Sequence, residues 1–89
     1  MNTKIKLVFV TQKDCHQCTE AEEFLSELKH SYPNLEIKII DSFSPEGKKL
    51  VIKHFLIDLP GIFINGKLFS TGTLDRQRFL KAVNSPHEY

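Results

Sequence analysis

The chain has 89 residues, 40% hydrophobic and 26% charged; 12 Lys and Arg against 11 Asp and Glu give a formal net charge of +1 with His neutral. That is room for one domain, and the clustering of apolar residues at near-zero charge excludes a disordered chain. Lys and Arg are spread among acids, so no basic stripe exists to draw nucleic acid or an acidic membrane surface. No stretch approaches the roughly 18 apolar residues of a membrane span. The apolar run Leu7–Val10 is too short for a secretory h-region of about 7–15 residues. The expectation is a cytoplasmic, monomeric protein: one domain over residues 1–89, with a core over about 4–84.

The elements follow in order. Ile5–Val10 is β-branched and apolar apart from Lys6, the pattern of a buried strand. A short polar loop leads to Cys15-His16-Gln17-Cys18. Cys18, Ala21, Leu25 and Leu28, flanked by Phe24, then form a helical stripe, with Glu20, Glu22 and Glu23 early and Lys29 and His30 late. Pro33-Asn34 ends that helix, and Leu35–Ile40 is a second strand. Ser44-Pro45 is an N-cap followed by proline at the first helical position. The helix it starts runs to about residue 56, with Leu50, Val51, His54 and Phe55 as its face, although Gly47 weakens it. A helix between two strands signals a parallel pair. Pro60–Ile64 is a third strand, Asn65-Gly66 a type I′ hairpin turn, and Lys67–Thr71 a fourth strand antiparallel to the third. Gly66 and Gly72 are expected at positive φ. Thr73 or Asp75 caps a last helix with Leu74, Phe79, Leu80 and Val83 on its apolar face, stopped at Asn84-Ser85-Pro86. The order is β-α-β-α-β-β-α. Phe9, Phe24, Phe55, Phe63 and Phe79 are assigned to the core, and His30, His54 and His87 to surface or helix-face positions.

Two cysteines three apart cannot build a disulfide framework, and a bridge between them closes too small a loop to restrain the unfolded chain much. One C-x-x-C pair in a small cytosolic protein points to thiol chemistry or metal. At a helix start, the first cysteine lies beside unpaired N–H groups and the positive dipole end, which favour its thiolate. The second, one turn on, faces the same side and is more buried. Cys15 is therefore the candidate nucleophile and Cys18 the resolving thiol: Cys15 attacks a disulfide, and Cys18 attacks the mixed disulfide to release reduced substrate. His16 and Gln17 lie between the cysteines as candidate redox-tuning residues, with His16 equally readable as an exposed helix-start residue. Lys13 and His16 add positive charge near Cys15, and Asp14 opposes them.

Strand, C-x-x-C, helix, strand, helix, X-Pro-strand, Asn-Gly hairpin and final helix resemble the thioredoxin/glutaredoxin superfamily over about residues 4–84. The chain is most similar to short glutaredoxin-sized members, since no extra strand and helix precede Ile5. The resemblance implies an α/β thioredoxin-like fold: a four-stranded mixed sheet with helices on both faces. It implies a redox-active Cys15–Cys18 disulfide, no other cofactor, and glutathione as a possible co-substrate. It further implies a cis bond before Pro60, with the Leu59 backbone pairing to bound substrate like an added strand. The residue reading alone leaves Pro60 as an ordinary trans proline opening a strand. Gly72–Asp75 faintly resembles the glutaredoxin segment that holds a glutathione carboxylate on backbone N–H groups, with Thr73 and Asp75 as contacts and Lys13 for a second carboxylate. Helix capping by Thr73 or Asp75, and a solvated Lys13, are the plainer alternatives. The chain departs from the family at several points. Asp14 stands where Trp is common. His-Gln replaces Gly-Pro or Pro-Tyr, and Gly61 replaces a frequent Thr or Ala. Phe9 stands where thioredoxins bury an acid that takes the proton of the second cysteine. These departures fall on residues that set potential, rate and electron donor, not on those that set the fold.

The implied partners are protein disulfides or glutathione mixed disulfides, with a reductase or glutathione as electron donor. Two other readings compete. A Cu(I) module also places C-x-x-C at a strand-to-helix junction, in the order β-α-β-β-α-β. It offers no role for Ser44-Pro45 or Leu59-Pro60. A non-catalytic interaction module is the other. Structural zinc is disfavoured, because two cysteines need two more ligands and no His-x₃₋₅-His pair exists.

Overall fold

The computed structural model describes residues 4–84. Seven elements follow in the expected order: β1 (Ile5–Thr11), α1 (His16–Ser31), β2 (Leu35–Asp41), α2 (Pro45–His54), β3 (Gly61–Ile64), β4 (Lys67–Thr71) and α3 (Arg76–Asn84). They build one four-stranded sheet in the order β2-β1-β3-β4. β1 pairs parallel with β2, Ile5 opposite Leu35, and antiparallel with β3, Phe9 opposite Ile62. β3 pairs antiparallel with β4, with a register shift between Ile62 and Phe63.

Being central, β1 must be apolar on both faces, which explains its unbroken apolar run. Ile5, Leu7 and Phe9 enter one core with Leu25, Ile62, Ile64, Phe69, Phe79 and Val83, so α1 and α3 cover that face. Val10 enters the other with Leu56 and Phe63, backed by Val8, Leu50 and Val51, so α2 covers the opposite face. Leu59 borders both clusters.

The turns follow local chemistry. Asn65 and Gly66 take φ of 49° and 86°, as a type I′ turn demands. Asn65 Oδ1 accepts the Lys6 N–H at 3.0 Å, tying the hairpin to β1. Gly72 also has positive φ, 77°. Ser44 caps α2 by accepting the Gly47 N–H at 3.0 Å, and Pro45 follows in the first turn.

Two expectations need correction. α2 ends at His54, two residues early, and Phe55 is its C-cap at φ 53°. The left-handed cap turns Phe55 outward to 83% exposure, so it is not a core residue. His54 instead packs edge-on against Phe63, ring centroids 4.8 Å apart. Phe24 is half-buried, and Phe9, Phe63 and Phe79 are core as expected. Ser85, Pro86 and His87 lie outside the described residues.

Gly47, a weak helix former, has a tertiary reason. A Cβ there would overlap the Asp41 carbonyl oxygen and lie 2.8 Å from Ser42 Cα. Helix α2 therefore rests directly on the backbone leaving β2, and no flexible side chain can yield. Gly47→Ala is expected to lose about 2–3 kcal/mol despite alanine's better helix propensity. Thermal unfolding would show this as a Tm lowered by roughly 10 °C or more; an unchanged or raised Tm would contradict the close approach.

Candidate functional site

β1 ends at Thr11, and a short loop of Gln12, Lys13 and Asp14 leads to Cys15 and α1. Asp14 makes that turn at φ 56°, a conformation Asp tolerates better than most residues. Cys15 is the N-cap of α1, in extended conformation, and its Sγ accepts the Cys18 N–H at 3.1 Å. Its carbonyl accepts the Thr19 N–H at 3.1 Å and the Thr19 hydroxyl at 3.2 Å. A sulfur thus occupies the place where Ser or Asp usually satisfies an open helix N–H. No acidic residue lies in the first turn, so the sulfur has no carboxylate rival for the positive helix end. The glutamates expected early in the helix begin one turn further on, at Glu20.

Cys15 and Cys18 form a disulfide, with Cα atoms 5.2 Å apart. The two sulfurs differ in access: Cys15 is half-buried and Cys18 only 1% exposed. An incoming thiolate therefore meets Cys15 Sγ first. The Leu59–Pro60 bond is cis, as the resemblance implied, and Pro60 is fully buried. The Leu59 carbonyl oxygen lies 3.8 Å from Cys15 Sγ. The disulfide sulfur has no proton to donate to it, whereas the reduced thiol would. The Pro60 carbonyl accepts the Gly72 N–H at 3.0 Å, which brings the loop holding Thr73 close to Pro60.

The other expected site residues divide. Gln17 and Thr73 meet in a shallow depression with Glu20, Ala21, Leu74 and Arg76. Arg76 extends over the Phe24 ring, 5.1 Å from its centroid. Asp75 caps α3, its Oδ1 accepting the Arg78 N–H at 3.1 Å, and it does not line that depression. Lys13 is exposed on the loop before Cys15. His16 Nε2 pairs with Glu20 Oε1 at 2.7 Å, both side chains being largely in solvent, where such pairs contribute little. A Cβ at Gly61 would sit 3.0 Å from Leu56 Cδ1, so a larger residue there would press on the Leu56 side chain.

The sequence did not point to one feature. A groove of about 350 Å³ lies beside Leu59, walled by Phe43, Val51, Ile52, Leu56 and Ile57. Phe43, Ile52 and Ile57 are 69%, 74% and 90% exposed. The available signal was Ile57 beside Asp58, an apolar residue that neither strand nor helix periodicity explains.

No family model and no curated protein matches the chain. Solved structures do. Thioredoxin-2, a component of malaria parasite protein secretion machinery, is 16% identical with a TM-score of 0.71, over 96% of this chain and 85% of that one. Oxidised mitochondrial thioredoxin 3 from Saccharomyces cerevisiae is 14% identical with a TM-score of 0.69, over 93% and 79%. Thioredoxin f2, solved in complex with ferredoxin:thioredoxin reductase, is 17% identical with a TM-score of 0.69, over 97% and 80%. Identities this low establish fold alone. With its β2-β1-β3-β4 sheet covered on both faces and a C-x-x-C disulfide at the start of α1, the chain has the thioredoxin fold.

Proposed function

We propose that the protein is a thiol–disulfide oxidoreductase in which Cys15 is the nucleophile and Cys18 the resolving thiol. One observation carries this reading: a bridged cysteine pair in which the more accessible sulfur caps a helix that has no acidic residue in its first turn. The positive helix end stabilises the Cys15 thiolate as attacker and as leaving group. In the reductive direction, the Cys15 thiolate attacks a substrate disulfide and one substrate thiolate leaves. Cys18 then displaces the second substrate thiol, closing Cys15–Cys18. An external reductant, glutathione or a reductase, returns both thiols.

In this reading Leu59 and Pro60 present the substrate backbone beside Cys15. The apolar groove next to Leu59 receives side chains flanking a protein cysteine. Glutathione, as mixed disulfide or donor, would use Lys13 and the Thr73–Asp75 segment, with His16 and Gln17 tuning the pair. Reversible dithiol chemistry of this kind suits a reducing compartment such as the cytoplasm. Among the described residues no helix is long and apolar enough to cross a membrane. The copper-module reading is less well supported, because α2 intervenes between β2 and β3 where that architecture has a hairpin.

Cys15→Ser is expected to abolish reduction of a protein disulfide, whereas Cys18→Ser accumulates a mixed disulfide that intact-mass analysis places on Cys15. Full reductase activity in Cys15→Ser would reverse or remove these roles. Lys13→Ala is expected to weaken glutathione disulfide severalfold, consistent with loss of one exposed charge contact of up to about 1 kcal/mol. An unchanged affinity by calorimetry would exclude Lys13 from that contact.

A further inference from the structure

Among the described residues no ionisable side chain is buried with the resolving thiol. Cys18 is 1% exposed and sits in a cluster of Phe9, Leu7, Ala21, Leu25, Ile62 and other apolar residues. Among the described residues the buried polar side-chain groups are Ser42, at the groove on the α2 side, and the Ser70 hydroxyl on β4; neither is an ionisable group that could take a thiol proton near neutral pH. Every element packed around Cys18 tells the same story. On α1, His16, Glu20, Glu22 and Glu23 are exposed; on β1, Lys6 is exposed and Phe9 is fully buried. β3 contributes no ionisable residue; Lys13 and Asp14 before Cys15, Glu36 and Lys38 on β2, Asp58 before Leu59, Lys67 on β4, and Asp75, Arg76 and Arg78 around the start of α3 are all exposed. His54 and Tyr32, both half-buried, are engaged elsewhere, with Phe63 and with Asn84.

Only a thiolate resolves a mixed disulfide, and an apolar surround disfavours the ionised form of a buried group. We infer that resolution by Cys18 is slow and steeply pH-dependent, so that near neutral pH the mixed disulfide on Cys15 persists as the dominant intermediate. This rests on the proposed roles of Cys15 and Cys18. In the step itself, the Cys18 thiol gives its proton to water, and the Cys18 thiolate attacks Cys15 Sγ. The Cys15–substrate S–S bond breaks, Cys15–Cys18 forms, and the substrate leaves as thiolate. No further oxidant or reductant enters. A small external thiol, such as 2-mercaptoethanol, bypasses the delay by attacking the same mixed disulfide as thiolate.

The test is rapid mixing of the fully reduced protein with 5,5′-dithiobis(2-nitrobenzoate), following release of the coloured thiolate, with acid-quenched intact masses. The expected record has two phases of equal amplitude. The first is linear in probe concentration and coincides with a singly labelled protein. The second is independent of probe concentration and quickens about tenfold per pH unit between about pH 6 and pH 8, as reaction through a minor thiolate fraction requires. In Cys18→Ser the second phase disappears and the adduct persists until 2-mercaptoethanol is added. A second phase that is flat with pH, or that never separates from the first, overturns the inference and leaves the oxidoreductase reading standing. Absence of the first phase overturns both.

Discussion

The structure depends on burying β1 on both faces. Ile5, Leu7 and Phe9 serve the core beneath α1 and α3, while Val8 and Val10 serve the core beneath α2. A strand of this kind has to be central, so β2 and β3 must flank it, one parallel and one antiparallel. Each fully buried Leu, Ile or Phe contributes about 1.5–3 kcal/mol relative to exposure. Both cores therefore hold the same strand in place. Its C-terminal end then fixes where α1 begins, and with it the position of Cys15.

The chemistry follows from how α1 begins. A helix start needs acceptors, and here a sulfur supplies one through the Cys18 N–H. The same contact places Cys15 toward solvent and Cys18 one turn inside. Access and concealment of the two sulfurs are thus one geometric fact, not two. Leu59 joins the arrangement because it borders both cores and turns its carbonyl toward Cys15. The apolar layer that conceals Cys18 is part of the core that holds β1, so in the proposed reaction the pace of thiol exchange draws on the residues that stabilise the fold.

Much of this was legible in the sequence because the signals are local. Ser44-Pro45, Asn65-Gly66 and the spacing of Cys18, Ala21 and Leu25 each specify their own backbone. The C-x-x-C pair and Leu59-Pro60 carried the site through resemblance. What stayed hidden depends on contacts between separate segments. Gly47 is a poor helix residue until α2 is seen against the Asp41 carbonyl. Phe55 continues the helical face in sequence, and no glycine marks the left-handed cap that turns it out. The groove of Phe43, Ile52 and Ile57 draws on three segments that show no common period.

The most direct test of the central claim is a redox titration of purified, metal-free protein in glutathione buffers, with free thiols trapped by alkylation and counted by mass. The account predicts that Cys15 and Cys18 convert together in one reversible two-electron transition between about −120 and −270 mV. Thiols that never interconvert as a pair, or that titrate one at a time as separate glutathione adducts, would contradict it.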